Sequence, residues 1–431
     1  MPELTEPAND PVNDSQPLVR FYPVLVLLAV SMFINYIDRG NLSVAAPLLK
    51  QELGLSASQL GILLSGFFWT YTAMQFVSGW LVDRFSVNRL IAAGYLVWSL
   101  ATAFTGWVHG FAFLLAMRLV LGIGESVALP SCGKILARQL PERHRGFANG
   151  LIAFAFRGGN AVGTLFAGFA MARYGWRPVF IFVGFASLVW LPAWARWRPR
   201  GGQPSPAAAN VAYGVAEILK QRSFWGSCAG HFSSNYLLYF MVTWLPYYLV
   251  HARHLSMQTM ARTAGLYYLV DALSAVIGGW TSDQWLRSGG DATLVRKTTS
   301  IAGFAIAAIA MGGCALASSE HYVIWLVAAG IGCGITAPGN FALPQSLAGP
   351  QAAGRWTGLQ NGFANLSGIV GPALTGFVVE KTGSFLVPFA ITATLCVFGG
   401  LAWFFVVGKV QEVQWKQHGV AASTKHSQLK F

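Results

Sequence analysis

Two stretches of this 431-residue chain place charge inside otherwise apolar surroundings. Asn35-Tyr36-Ile37-Asp38-Arg39-Gly40-Asn41 sits in an apolar segment from about 21 to 49, and Arg118-Leu119-Val120-Leu121-Gly122-Ile123-Gly124-Glu125 sits in another. Arg118 and Glu125 are two helical turns apart, so they share one face with Gly122 between them. Charges in the middle of a membrane-length helix are costly unless each finds a partner or faces water. The two segments therefore offer two acids and two guanidinium groups to one interior space. That set suits an anion that enters and leaves, with acids that take up and release protons. Burial raises a carboxyl group's pKa and a nearby guanidinium lowers it, so an Arg that moves between acid and anion switches proton affinity. Arg also stays charged and binds a carboxylate through two parallel hydrogen bonds.

The elements that must position these groups are membrane helices. Hydrophobic residues make up 54% of the chain and charged residues 10%, whereas a soluble protein carries roughly 25% charged residues. Twelve segments of about 20 apolar residues, from about 21–49 to about 385–408, are long enough to span a bilayer. No long water-soluble domain fits between them. The polar, acidic start lacks the n-region and cleavage site of a signal peptide, so none is expected. With both termini cytoplasmic, about 20 of the 29 Lys and Arg fall on the cytoplasmic side and about 6 on the other, leaving Arg39, Arg118 and Arg157 inside helices. That asymmetry obeys the positive-inside rule and explains the formal charge of +13 without nucleic acid. Cys132, Cys228, Cys314, Cys333 and Cys396 are isolated, with no ligand spacing, and read as small packing residues. No metal and no cofactor beyond a co-transported proton is expected.

The longest interior connection, Arg198 to Arg222, holds Gly201-Gly202-Gln203-Pro204-Ser205-Pro206 and then a short run from Ala209 to Lys220 with amphipathic character. It divides the chain into two sets of six segments: a polar tail 1–19, an N-terminal bundle 20–198, a cytoplasmic linker 199–222, a C-terminal bundle 223–408 and a cytoplasmic tail 409–431. Paired bundles place a site at their interface. The halves echo each other in Gly79-Trp80-Leu81-Val82-Asp83-Arg84 and Gly279-Trp280-Thr281-Ser282-Asp283, each with Gly four residues before Asp at a helix end. A close helix contact at Gly79, with a charge network from Asp83, Arg84 and Asp283, is expected to latch one conformation.

Gly79, Asp83-Arg84 and Arg89 resemble the loop motif of the major facilitator superfamily, with Ser86 where a Gly is usual. Asn35 through Arg39, Arg118 through Glu125, Tyr247 and Gly371-Pro372 resemble, more narrowly, the anion:cation symporter family. That family includes galactonate, glucarate and hexuronate transporters, the lysosomal sialic acid exporter and vesicular glutamate transporters. The similarity covers roughly 20 to 408. It implies an all-α membrane protein with twelve helices in two pseudo-symmetric six-helix bundles. It also implies that Asp38 and Glu125 couple protons, that Arg39 binds the substrate carboxylate and that Arg118 tunes the acids. Tyr71 aligns with a substrate-contacting tyrosine.

Further polar residues lie within the apolar segments. Tyr36 and Tyr71 can hydrogen-bond a polyhydroxylated substrate or simply pack. His231 and Asn235 are one turn apart, as are Asn361 and Asn365, and such pairs either face a cavity and bind hydroxyls or bridge helices. Arg157, in Ala155-Phe156-Arg157-Gly158-Gly159, is an intramembrane charge outside the family pattern. It either anchors a second acidic group of the substrate or neutralises Asp271. The sequence thus leads to a non-enzymatic, proton-coupled symporter of the bacterial-type inner membrane, a monomer importing an organic anion. Sugar acids (hexonates, hexarates, hexuronates) come first, with aromatic acids or small dicarboxylates as the alternative; an exchanger or a transporter-like sensor ranks below. No HExxH or GxSxG motif supports an intramembrane enzyme.

Overall fold

The computed structural model describes residues 16–140, 142–199, 215–317 and 321–415, and of 16–20 and of 83, 137, 142, 143, 145, 146, 350 and 351 the backbone alone. Most of the polar tails, most of the linker and the side chain of Asp83 therefore lie outside the described residues. Ten described helices are long and apolar enough to cross a membrane: α1 Phe21–Leu53, α2 Ala57–Val82, α3 Val87–Thr105, α4 Phe111–Leu136, α5 Phe147–Tyr174 and α6 Trp176–Trp197, then α9 Ala292–Leu316, α10 Tyr322–Gly349, α11 Ala352–Thr382 and α12 Leu386–Val406. Between α6 and α9 stand α7 Arg222–Tyr247 and α8 Met257–Arg287, which have the length but a more polar composition. They complete the twelve. Their lower apolarity has a physical reason: α7 carries His231, Ser233, Ser234 and Asn235, and α8 carries Asp271, all buried. Among the described linker residues, Val215–Leu219 forms a single helical turn.

Helix ends follow local chemistry. Ser56 caps α2 and Gln59 returns the bond to the Ser56 amide, a reciprocal capping box. Asp291 caps α9 through the Leu294 amide. Gly349, at φ +66°, breaks the chain between α10 and α11, a conformation that Gly adopts without steric cost.

Close backbone approaches then fix α4 between its neighbours. A Cβ at Gly122 would lie 2.4 Å from the Phe67 carbonyl of α2, and one at Gly124 2.9 Å from the Trp98 amide of α3. Glycine there lets helices approach at backbone distance, as small residues do in membrane bundles. The same two glycines sit between and beside Arg118 and Glu125. Local sequence thus sets both the packing and the aim of the charges.

The two ends of the molecule differ. At the end away from the linker, α2 and α11 touch at Gly61 and Gly376, and α5 touches α8 where Gly168 meets Ala261. Lys50 at the end of α1 donates to the Tyr247 hydroxyl of α7 at 2.8 Å. Glu380 of α11 accepts the Ser58 amide at the start of α2, 2.7 Å away, an anion at a helix N-terminus. Towards the linker end the α2–α11 contact continues through Gly368 on Phe68 to Gly362 on Phe76, and then stops: Gly79, Gly354 and Gly358 have nothing within 4 Å. The close contact expected at Gly79 is therefore absent in this conformation.

Candidate functional site

The charged groups of α1 and α4 meet. Arg39 donates to Glu125 Oε2 through Nη2 at 2.9 Å and Nε at 3.2 Å. A third, longer bond runs from Nη2 to Asn35 Oδ1 at 3.3 Å. The guanidinium also lies over three aromatic rings, Tyr36 at 4.6 Å, Phe67 at 4.6 Å and Tyr71 at 4.7 Å. A desolvated cation over such faces gains about 2 kcal/mol, so the cage can hold Arg39 charged when the carboxylate leaves. Glu125 Oε1 has no hydrogen-bond partner among the described residues.

Asp38, although adjacent to Arg39, does not pair with it. Neighbouring residues on a helix point about 100° apart, and Asp38 turns towards α3 and α4, where Thr102, Glu125 and Arg118 are its polar neighbours. Both its oxygens are buried without a hydrogen bond of ordinary geometry. Arg118 is 4% exposed, sits 5.4 Å from the Phe67 ring centroid and leaves its Nε unpaired. The first and fourth helices thus hold one tight ion pair and two loosely satisfied charges, rather than two matched pairs.

A cavity of about 90 Å³ lies against this cluster, lined by Tyr36, Arg39, Tyr71 and Glu125 on one side and by His231, Asn235, Asn361 and Asn365 on the other. Three of these four residues, His231, Asn361 and Asn365, are held by hydrogen bonds. Gln360 contacts His231 Nδ1 at 3.1 Å, Tyr239 donates to Asn365 Oδ1 at 2.6 Å, and Asn365 donates to the Asn361 carbonyl at 2.8 Å. Ser234, Tyr239 and Asn340 also line the cavity, and the sequence reading did not single them out as site residues. Helical spacing could have found Tyr239, which continues the 231–235 face by one turn. A larger cavity of about 770 Å³ lies at the far end, lined by residues such as Lys50, His251, Arg253 and Glu380. It holds none of the charges at the heart of α1 and α4.

Arg157 also lines the central cavity and forms an ion pair with Asp271 of α8. The loop residues behave differently. Arg84 is exposed, and Asp283 pairs with Arg296 of α9 at 3.5 Å, within its own half. Gly79, Arg84 and Asp283 are not brought together, and the Asp83 side chain lies outside the described residues. Five buried cysteines are unpaired, and no cluster among the described residues could hold a metal.

A profile of the Major Facilitator Superfamily matches residues 28–295 and 265–429, and the chain belongs to that superfamily. A bacterial homologue of the human lysosomal transporter Spinster, solved inward-facing and occupied, superposes with a TM-score of 0.75 at 19% identity, over 89% of this chain and 96% of that one. Within the superfamily the chain is related to the sugar-acid transporters of the anion:cation symporter family. The hexuronate transporter of Bacillus subtilis is 28% identical across 93% of this chain and 97% of its own. A "Probable galactarate/D-glucarate transporter" of Escherichia coli is 28% identical across 92% and 95%. A "Probable sulfoacetate transporter" of Cupriavidus necator is 31% identical across 89% and 93%. The chain is a multi-pass membrane protein and a secondary transporter, not an enzyme.

Proposed function

We propose that this transporter imports an organic anion together with protons, with the linker end in the cytoplasm. The observation that carries the reading is the Arg39–Glu125 pair on the cavity wall. A substrate carboxylate that takes Arg39 displaces Glu125, and a buried carboxylate without its counter-ion is strongly disfavoured. Protonation of Glu125 relieves that cost, and its free Oε1 is an acceptor for the proton. Asp38, with no counter-ion bonded to it, is the second proton carrier, and Arg118 tunes both acids. Anion and proton then load together from outside. Parting of the sealed far end and closing of the linker end complete the cycle.

Sugar acids remain the first substrate reading, supported by a second cavity wall built of amides and hydroxyls and by the hexuronate and galactarate/D-glucarate relatives. Arg157 on the cavity wall favours a second reading, a short dianion of the sulfoacetate kind, and the small cavity agrees with it. Uptake of labelled D-glucuronate, D-glucarate and sulfoacetate by cells, with and without an uncoupler, tests the proposal. Accumulation of one of them that collapses with the proton gradient is expected. Accumulation that persists would make the protein an exchanger.

A further inference from the structure

We infer that Asp271 is a third proton-carrying acid, engaged when the substrate bears a second acidic group that takes Arg157. The inference rests on the proton-coupled reading above and extends it to stoichiometry. Arg157 belongs to α5 in the first half and Asp271 to α8 in the second, so their ion pair joins the halves beside the cavity. Each partner is held by its own half. A Cβ at Gly159 would lie 2.4 Å from the Phe33 carbonyl of α1, which locks α5 to α1 two residues from Arg157. A Cβ at Gly334 would lie 2.4 Å from the Asp271 carbonyl itself, which locks α8 to α10. The pair cannot travel as a unit when the halves rock.

Charge balance gives the consequence. Six charged side chains are embedded around the site: the acids Asp38, Glu125 and Asp271, and the guanidinium groups of Arg39, Arg118 and Arg157. They sum to zero. An anion with one carboxylate on Arg39 restores neutrality with one proton, which Glu125 and Asp38 share. One whose second acid group takes Arg157 needs two. Removing Arg157 from Asp271 leaves a carboxylate that is 4% exposed and whose Oδ1 already lacks a partner. The groups facing it are Tyr267 and Tyr268 on its own helix, Cys333 of α10 and Arg157 of α5, and none but Arg157 is a cation. A proton from water then forms an O–H bond on Asp271, while Arg157 keeps its own protons and exchanges one carboxylate for another. Loss of that proton on the cytoplasmic side re-forms the pair and expels the anion.

D-Glucarate and D-glucuronate share a carbon skeleton and differ by one carboxylate, so they are the probes. The full chain in proteoliposomes, under a gradient of about one pH unit and no membrane potential, should accumulate D-glucuronate about tenfold and D-glucarate about 100-fold at the limit, since each proton contributes one factor of ten. Asp271→Asn should bring D-glucarate down to about tenfold, because no acid beside Arg157 remains to take the second proton. Should that variant fold poorly, Arg157→Gln/Asp271→Asn leaves no lone charge and should likewise equalise the two probes. Equal limits in the wild type, or a D-glucarate limit unaltered in both variants, would overturn the inference while proton coupling stands. Absence of proton-driven uptake of either probe would overturn the functional reading and this inference with it.

Discussion

The two walls of the central cavity are built from different chemistry. The first half lines the cavity with the Arg39–Glu125 ion pair, backed by Asp38 and Arg118, whose hydrogen bonding is incomplete. The second half contributes His231, Ser234, Asn235, Asn340 and Asn365, neutral groups of which His231, Ser234, Asn340 and Asn365 are hydrogen-bonded to Gln360, Tyr239, Thr336 or one another. Charge under tension can be switched by a proton or an anion. Hydrogen-bonded amides and hydroxyls hold a shape. The first wall is thus suited to energising transport and the second to recognising what is carried, and Asp271 is the one described acid that the second half lends to the site.

Breaking the charged wall should have the largest effect. Arg39→Ala leaves Glu125 buried without its cation, which costs about 3–5 kcal/mol, so a marked fall in melting temperature in detergent is expected, with loss of uptake. Unaltered stability would mean that the pair carries little. Arg39→Lys keeps the charge but loses the planar fork and the stacked cage. Substrate affinity, read by thermal shift across D-glucuronate, D-glucarate and sulfoacetate, should fall about tenfold or more. Equal affinity would remove Arg39 from the anchor role.

The neutral wall should respond more gently. Asn235→Ala removes an amide from the cavity, worth about 1 kcal/mol or roughly fivefold in affinity, with the proton-to-anion ratio unchanged. A changed ratio would break the division between the two walls. Smallest of all is an effect remote from both. Outside the spans, partial burial, then Lys50 and His254, lower the His251 pKa. A histidine whose folded pKa is depressed binds protons more readily when unfolded, so stability declines as pH falls from about 6.5, the unfolded value, towards the folded one. His251→Gln should flatten that acid-side decline in melting temperature; an identical slope would dismiss His251 from it.

Much of this division is legible in the residues themselves. Membrane-length apolar runs fix the helices, and the two-turn spacing of Arg118 and Glu125 puts both on one face. Spacing within a helix says nothing about which neighbouring helix a face meets, so the partnering of Arg39 with Glu125, and of Asp38 with neither guanidinium, needed the fold. Arg157 and Asp271 stood out as lone intramembrane charges, yet only the adjacency of α5 and α8 joins them. Gln360 carries no charge and sits among ordinary polar residues, so nothing local marks it, and Tyr239 is marked only by its one-turn spacing from Asn235. Gly79 illustrates a further limit: a latch belongs to one conformation, and in this one a Cβ at Gly79 would meet nothing within 4 Å.

The most direct test of the charged wall is Glu125→Gln in proteoliposomes, with accumulation under a pH gradient compared with counterflow of the same labelled anion. Glutamine cannot take up the proton but still leaves Arg39 free for the anion. Lost accumulation with counterflow retained is the predicted result. Equal loss of both would contradict the account, because Glu125 would then hold the site together without carrying its proton.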